Sequence, residues 1–181
     1  MSDLSAATGT WTIDPTHSVI GFSVRHAMVA KVRGRFGAFS GSLTVDGANP
    51  AASKAELTIE AASIDTQTAD RDAHLKSPDF LDVEQFLTLT FVSTGIKATD
   101  DDEFVVTGDL TIHGVTKPVS IEVEYNGVGG DPWGNTRIGF EGKTTISRKD
   151  FGLTWNVALE AGGILVGDDI KIELDIEAVK A

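Results

Sequence analysis

From Ile170 to Ala178 every second residue is apolar: Ile170, Ile172, Leu174, Ile176 and Ala178, separated by Lys171, Glu173, Asp175 and Glu177. Successive side chains of a strand point to opposite faces, so this segment must bury one face and wet the other. The same alternation opens the chain. Ile20, Phe22 and Val24 share a parity with Ser18; Val32, Gly34 and Phe36 alternate with Lys31, Arg33 and Arg35; Leu43 and Val45 alternate with Ser42, Thr44 and Asp46. These three runs read as adjacent antiparallel strands. The pattern returns at Trp11 and Ile13, and from Ala55 to Ala61, Leu87 to Phe91, Phe104 to Ile112, Val119 to Tyr125 and Ile138 to Ile146. Roughly eight to ten short strands at this regular spacing predict a mainly β fold, an antiparallel barrel or sandwich. About eight strands closed into a barrel leave an interior that side chains fill or that holds one small ligand.

One stretch breaks the pattern. Residues 65–76 are rich in helix formers, with candidate caps at Thr66 and Thr68. Pro78 should stop that helix, because the residue before proline avoids the α region. Ser77 and Pro78 can then start a second helical turn. One short helical segment near residues 67–82 is therefore expected to lid or flank the barrel, with Leu75, Phe80 and Leu81 as its apolar side. Residues 26–30 read as a bulged corner or wide connection. The stretch from Gly127 to Gly134 reads as a glycine-rich loop, and Gly162-Gly163 and Asp168-Asp169 as the bounds of another turn. Residues 1–9 are small and polar, a flexible lead-in to one domain over 10–181.

Composition removes several functions. The chain has no cysteine, so disulfides, thiolate chemistry and Cys–zinc sites are out. A formal net charge of -12 argues against nucleic acid and against adhesion to anionic lipid headgroups. No apolar run is long enough for a spanning helix, so no stable membrane insertion is expected. The N-terminus carries no basic, then apolar, export pattern, and the expected location is cytoplasmic.

No constellation speaks for catalysis. His17, His26, His74 and His113 lie on four separate elements without a metal-ligand spacing, and no metal site is expected. Asp14, His17 and Ser18 could be drawn as a triad, but neighbours on a strand point opposite ways. Gly127–Gly130 lacks the Lys-Ser/Thr and helix of a phosphate cradle. Trp11, Trp133 and Trp155 read as packing or as pocket residues. Arg71 and His74, three apart, share a helix face. They point at a polar ligand head, or Arg71 merely pins the helix to a local partner.

Taken in order, Asp14-Pro-Thr-His-Ser18, Val24-Arg-His26, Gly34-Arg-Phe36, Ser63-Ile-Asp-Thr66, Arg71-Asp-Ala-His-Leu75, Ser77-Pro-Asp-Phe80, Gly108–Gly114, Val115–Val119 and Ser147–Gly152 resemble the motifs of YceI-like proteins, a polyisoprenoid-binding family. The resemblance spans nearly the whole chain and departs from the family at Leu87, where relatives often carry proline. It implies an extended, lipocalin-like antiparallel barrel, an apolar interior for a long isoprenoid chain, and a homodimer. The leading expectation is thus a non-enzymatic protein that binds and sequesters or carries a polyisoprenoid, isoprenoid quinone or fatty acyl chain, with no required cofactor. The lumen candidates, by parity, are Ile20, Phe22, Val24, Phe36, Leu89, Phe91, Leu110, Ile121, Val123 and Phe140. His17, Arg71 and His74 are the candidates for a polar head. The alternatives are a filled barrel serving a protein partner in structure or stress response, and a lipid-modifying enzyme. Parity does not separate a lumen wall from a filled core.

Overall fold

A computed structural model describes residues 3–160 and 163–181. Its strands are β1 (Gly9–Ile13), β2 (Val19–His26), β3 (Ala30–Phe36), β4 (Phe39–Val45), β5 (Lys54–Glu60), β6 (Ile64–Asp65), β7 (Thr88–Ala98), β8 (Glu103–Ile112), β9 (Val115–Gly130), β10 (Thr136–Ser147) and β11 (Val166–Lys180), with one helix, α1 (Ala69–Lys76). They form a single antiparallel sheet in the order β1-β4-β5-β7-β8-β9-β10-β11-β2-β3-β6, closed by β1 pairing with β11. The register explains this order. β11 pairs β2 through residues 166–175 and then β1 through 178–180, so β1 and β2 are two halves of one long strand. β3 and β4 are likewise halves of the next, pairing β2 and β1 in turn. β5 and β6 are halves of the third, against β4 and β3. The result is a closed up-and-down barrel of eight staves, three of them broken.

The third alternating run is therefore not a hairpin neighbour of the second. β4 continues β3 in the same direction, because only Gly37 and Ala38 separate them and no reversal is made. Other boundaries also shift. The run of glycines after Gly127 stays in β9, and the connection to β10 is residues 131–135. Glycine hides alternation but keeps its ladder bonds. Asp168-Asp169 is an irregularity within β11 rather than a turn. Gly162 lies outside the described residues. Residues 26–30 form a tight hairpin, and α1 is followed by turns at 77–86. Leu87 precedes β7 and is exposed. The lead-in segment carries a 3-10 turn at Ser5–Ala7, and Ala7 is buried.

Each break needs substitutes for lost ladder bonds. Between β1 and β2, Ser18 supplies two: its hydroxyl donates to the Glu177 carbonyl at 3.1 Å and accepts from the Glu177 amide at 3.0 Å. Asp14 turns the corner by accepting from the Thr16 amide and from His17. Arg137 on β10 locks it, with Nη1 donating to Asp14 and Glu177 and Nε to Asp131, each at 2.8 Å. The Arg137 guanidinium, then the His17 contact, hold the Asp14 carboxyl well below the usual carboxylate range. The same guanidinium lowers Asp131. The Asp-Pro-x-His-Ser motif is thus a built corner.

Removing Ser18 tests this. Ser18→Ala should cost about 1–3 kcal/mol by urea denaturation, because it strands buried backbone groups. Ser23→Ala, on the outer face, should stay within about 0.5 kcal/mol. The two lowered carboxylates set the pH dependence. Their contribution is fully present above the unfolded carboxylate value of about 4 and is lost as pH falls through the lower folded values. The difference in Tm between wild type and Arg137→Met should therefore be widest near neutrality and shrink steadily on acidification below pH ~4.

Candidate functional site

The barrel encloses an elongated cavity of about 330 Å³ that runs from the helix end to the opposite end. Its wall is apolar except for Ser53, Lys54, Glu56, Tyr125, Thr144 and Arg148. Alternation builds it: every stave contributes its inward parity, for example Ile172, Leu174 and Ile176 from β11. Aromatic rings lie against the wall where glycine makes room. A Cβ at Gly34 would meet the Phe22 ring at 2.5 Å, and one at Gly108 the Phe91 ring at 2.4 Å. These two glycines seat the rings flat and keep the centre open.

Packing is tight at the ends and uneven between, where Ile20, Phe36, Leu89 and Phe91 of the wall are themselves buried. One end is closed on Trp11, Ile138 and Ala178, all essentially inaccessible, with Trp11 Nε1 donating to the Ala7 carbonyl at 2.9 Å. At the other end Ile112, Ile146 and Phe151 are buried beneath Leu81 of the segment after α1. Between them Phe22, Leu57, Leu110, Ile121, Val123, Phe140, Ile172 and Leu174 point inward yet remain half-buried. Inward side chains of a filled barrel would be fully buried, as protein interiors are close-packed. Here they face a cavity.

All ten lumen candidates, Ile20, Phe22, Val24, Phe36, Leu89, Phe91, Leu110, Ile121, Val123 and Phe140, line this cavity. The three polar candidates lie off its wall and have local partners. His17 Nδ1 sits 2.8 Å from Asp14 on the outer corner. Arg71 donates to the Thr66 hydroxyl at 2.8 Å and carbonyl at 2.7 Å, while Asp72 accepts from the Thr66 amide at 2.8 Å. These bonds pin α1 to the end of β6. His74 bonds Asp79 at 2.9 Å and packs edge-on against Phe80 and Trp155. Trp11 and Trp155 serve packing, and Trp133 is exposed. Among the described residues no three His, Asp or Glu side chains converge on a metal-sized site.

Arg148 lies outside the candidates that the sequence offers. It is 2% exposed and lines the helix end of the cavity. Its guanidinium donates to the carbonyls of Gly167 (2.8 Å), Leu153 (2.6 Å), Trp155 (2.9 Å) and Val166 (3.3 Å). Burial pushes its pKa below the ordinary arginine value, and Asp168, 3.7 Å away, opposes that shift. Arg148 thus clamps the chain that crosses this end before β11. Only the Ser-Arg-Lys-Asp-Phe-Gly motif hinted at it, since no periodicity marks a residue that bonds carbonyls.

Against known proteins, the model of the YceI-like domain matches residues 11–178. The chain belongs to the YceI-like family. Protein YceI of Escherichia coli O157:H7 is 44% identical over 178 residues, covering 97% of this chain and 90% of that protein. A UPF0312 protein of Pseudomonas aeruginosa (strain LESB58) is 42% identical over 164 residues, 91% of this chain and 82% of its own length. Burkholderia cenocepacia BcnA superposes with a TM-score of 0.78 at 25% identity, covering 91% of this chain and 98% of that one. A polyisoprenoid binding domain from Saccharophagus degradans shares the fold, with a TM-score of 0.73 at 15% identity and 94% and 98% coverage. The lipocalin-like barrel of the YceI-like fold is the architecture seen here.

Truncation distinguishes wall from core. Ile138→Ala, in the closed end, should cost about 2–5 kcal/mol by chemical denaturation. Ile121→Ala, whose side chain already lacks neighbours on its lumen side, should cost clearly less.

Proposed function

We propose that this YceI-like barrel binds the apolar chain of an amphiphile, a polyisoprenoid, isoprenoid quinone or fatty acyl chain, and sequesters or carries it without chemical change. The observation that carries the reading is the ring of inward, half-buried apolar side chains around the 330 Å³ cavity. Each methylene moved from water into such a lumen gains about 0.8 kcal/mol, so binding needs no catalytic group. Among the described residues the wall offers one buried ionisable side chain, Arg148, and its donors are held by main-chain carbonyls. The polyisoprenoid-binding neighbour of the same fold supports the choice of ligand class. The half-buried lumen side chains favour this reading over a filled barrel that serves a partner.

Narrowing the lumen tests it. Ile121→Trp adds an indole to the cavity wall. Stability should fall by less than the roughly 1–3 kcal/mol that overpacking a filled core costs. Co-elution of an added polyprenol or quinone on gel filtration should fall at least about tenfold, a loss of roughly 1.4 kcal/mol. Unchanged uptake by a folded Ile121→Trp variant would remove the lumen as the binding site.

A further inference from the structure

The net charge of -12 conceals a strong local asymmetry. Between Pro15 and Val45 the chain has no Asp or Glu, and Arg25, Lys31, Arg33 and Arg35 all fall there. The fold gathers the four on one hairpin, β2–β3, where they are exposed on the outer face. Arg25 lies directly opposite Lys31, a like-charge pair that disfavours the isolated protein. None of the four makes an ion pair among the described residues. The neighbouring β11 and β6 offer carboxylates, with Asp168 and Asp169 in the β11 irregularity beside Arg25, Glu173 opposite Gly21 and Asp65 opposite Arg35; Asp168 is drawn to Arg148 and Lys149, and none forms a bridge to the four cations. Lys171, opposite Ser23, adds to the positive field.

The tip of this hairpin is apolar and unusual. Ala27 and Met28 both take left-handed conformations, at φ 52° and 65°, with the Val29 amide bonded to the His26 carbonyl. Such turns normally use Asn-Gly, because residues with side chains are strained there. The turn thrusts Met28, 58% exposed, and Val29, 83% exposed, into solvent beyond the cations. It stands at the helix end of the barrel, where the Ala27 amide donates to the Leu165 carbonyl.

We propose that the β2–β3 hairpin docks this protein on an anionic lipid bilayer, with Met28 and Val29 in the interface and Arg25, Lys31, Arg33 and Arg35 against headgroup phosphates. Cations flanking a small exposed apolar tip match the layered chemistry of a bilayer surface. An acidic peptide or a nucleic acid would be met by the cations but would leave the aliphatic tip in water, and no aromatic on the hairpin tip offers a base a stacking face. The proposal goes beyond the lumen reading and stands whatever the barrel holds.

The test is sedimentation of the full chain with vesicles of phosphatidylglycerol and, separately, of phosphatidylcholine. The chain should sediment with the first and not the second, and salt should weaken the association. Each charge removed should cost about fivefold, so Lys31→Gln with Arg33→Gln should weaken binding more than about tenfold. Met28→Ser with Val29→Ser should weaken it by about tenfold through lost apolar contact. Lys97→Glu, at the far end of β7, should leave binding unchanged. Equal sedimentation with both lipids, sedimentation with neither, or full binding by the folded double-Gln variant would overturn the proposal. So would hairpin variants that change only the oligomeric state, which would make this face a contact between copies of the chain. Polyprenol uptake by the same variants should be unaltered, so failure here and failure of the lumen reading are separate results.

Discussion

The closed ladder of backbone hydrogen bonds is the constraint on which everything else rests. Once β1 meets β11, the ring from β1 through β4, β5 and β7 to β11 is closed, and free strand edge is confined to β6 and the first residues of β3 at the helix end. Within that ring the backbone polar groups are satisfied by the wall itself. The interior is released from the need to be packed solid. Tight packing at the two ends, on Trp11, Ile138 and Ala178 at one and on Ile112, Ile146 and Phe151 at the other, extends along part of the wall through Ile20, Phe36, Leu89 and Phe91, and loosens around Ile121, Val123 and Phe140. The lumen is left where the inward side chains on β8, β9, β10 and β11 do not meet.

The polar motifs that mark the sequence serve the ladder where it breaks. Ser18 replaces two strand bonds at the β1–β2 corner, and Arg137 gathers Asp14, Asp131 and Glu177 around it. Thr66, Arg71 and Asp72 fasten the helix where β6 ends. Arg148 fastens the crossing segment before β11 by its carbonyls. Charged and hydroxyl side chains that look like chemistry in the sequence are thus spent on geometry. What these bonds leave unused is the apolar surface of the lumen and the basic outer face of β2–β3.

Legibility followed the same line. Period-2 alternation exposed the inward residues of nearly every stave, which is why Ile20, Phe91, Ile121 and Phe140 could be named before their neighbours were known. It could not show that β1 and β2, or β3 and β4, are halves of single strands, because that depends on partners far along the chain. It failed at Gly127–Gly130, where glycines carry no alternation, and at Asp168-Asp169, where a strand irregularity looks like a turn. His17, Arg71 and His74 attracted attention as isolated polar groups, yet each has a partner within five residues in sequence. Arg148 went unseen because its partners are main-chain carbonyls. Whether the core is filled is a question of volume, and parity is blind to volume.

The central claim, that the lumen holds an apolar chain, is tested most directly by native mass spectrometry and organic extraction of protein purified without detergent, before and after exposure to polyprenols and quinones. The account predicts one hydrophobic molecule per barrel, either retained from the host or taken up on exposure, and released by the extraction. Protein that carries none and takes up none of the added long-chain amphiphiles would contradict it.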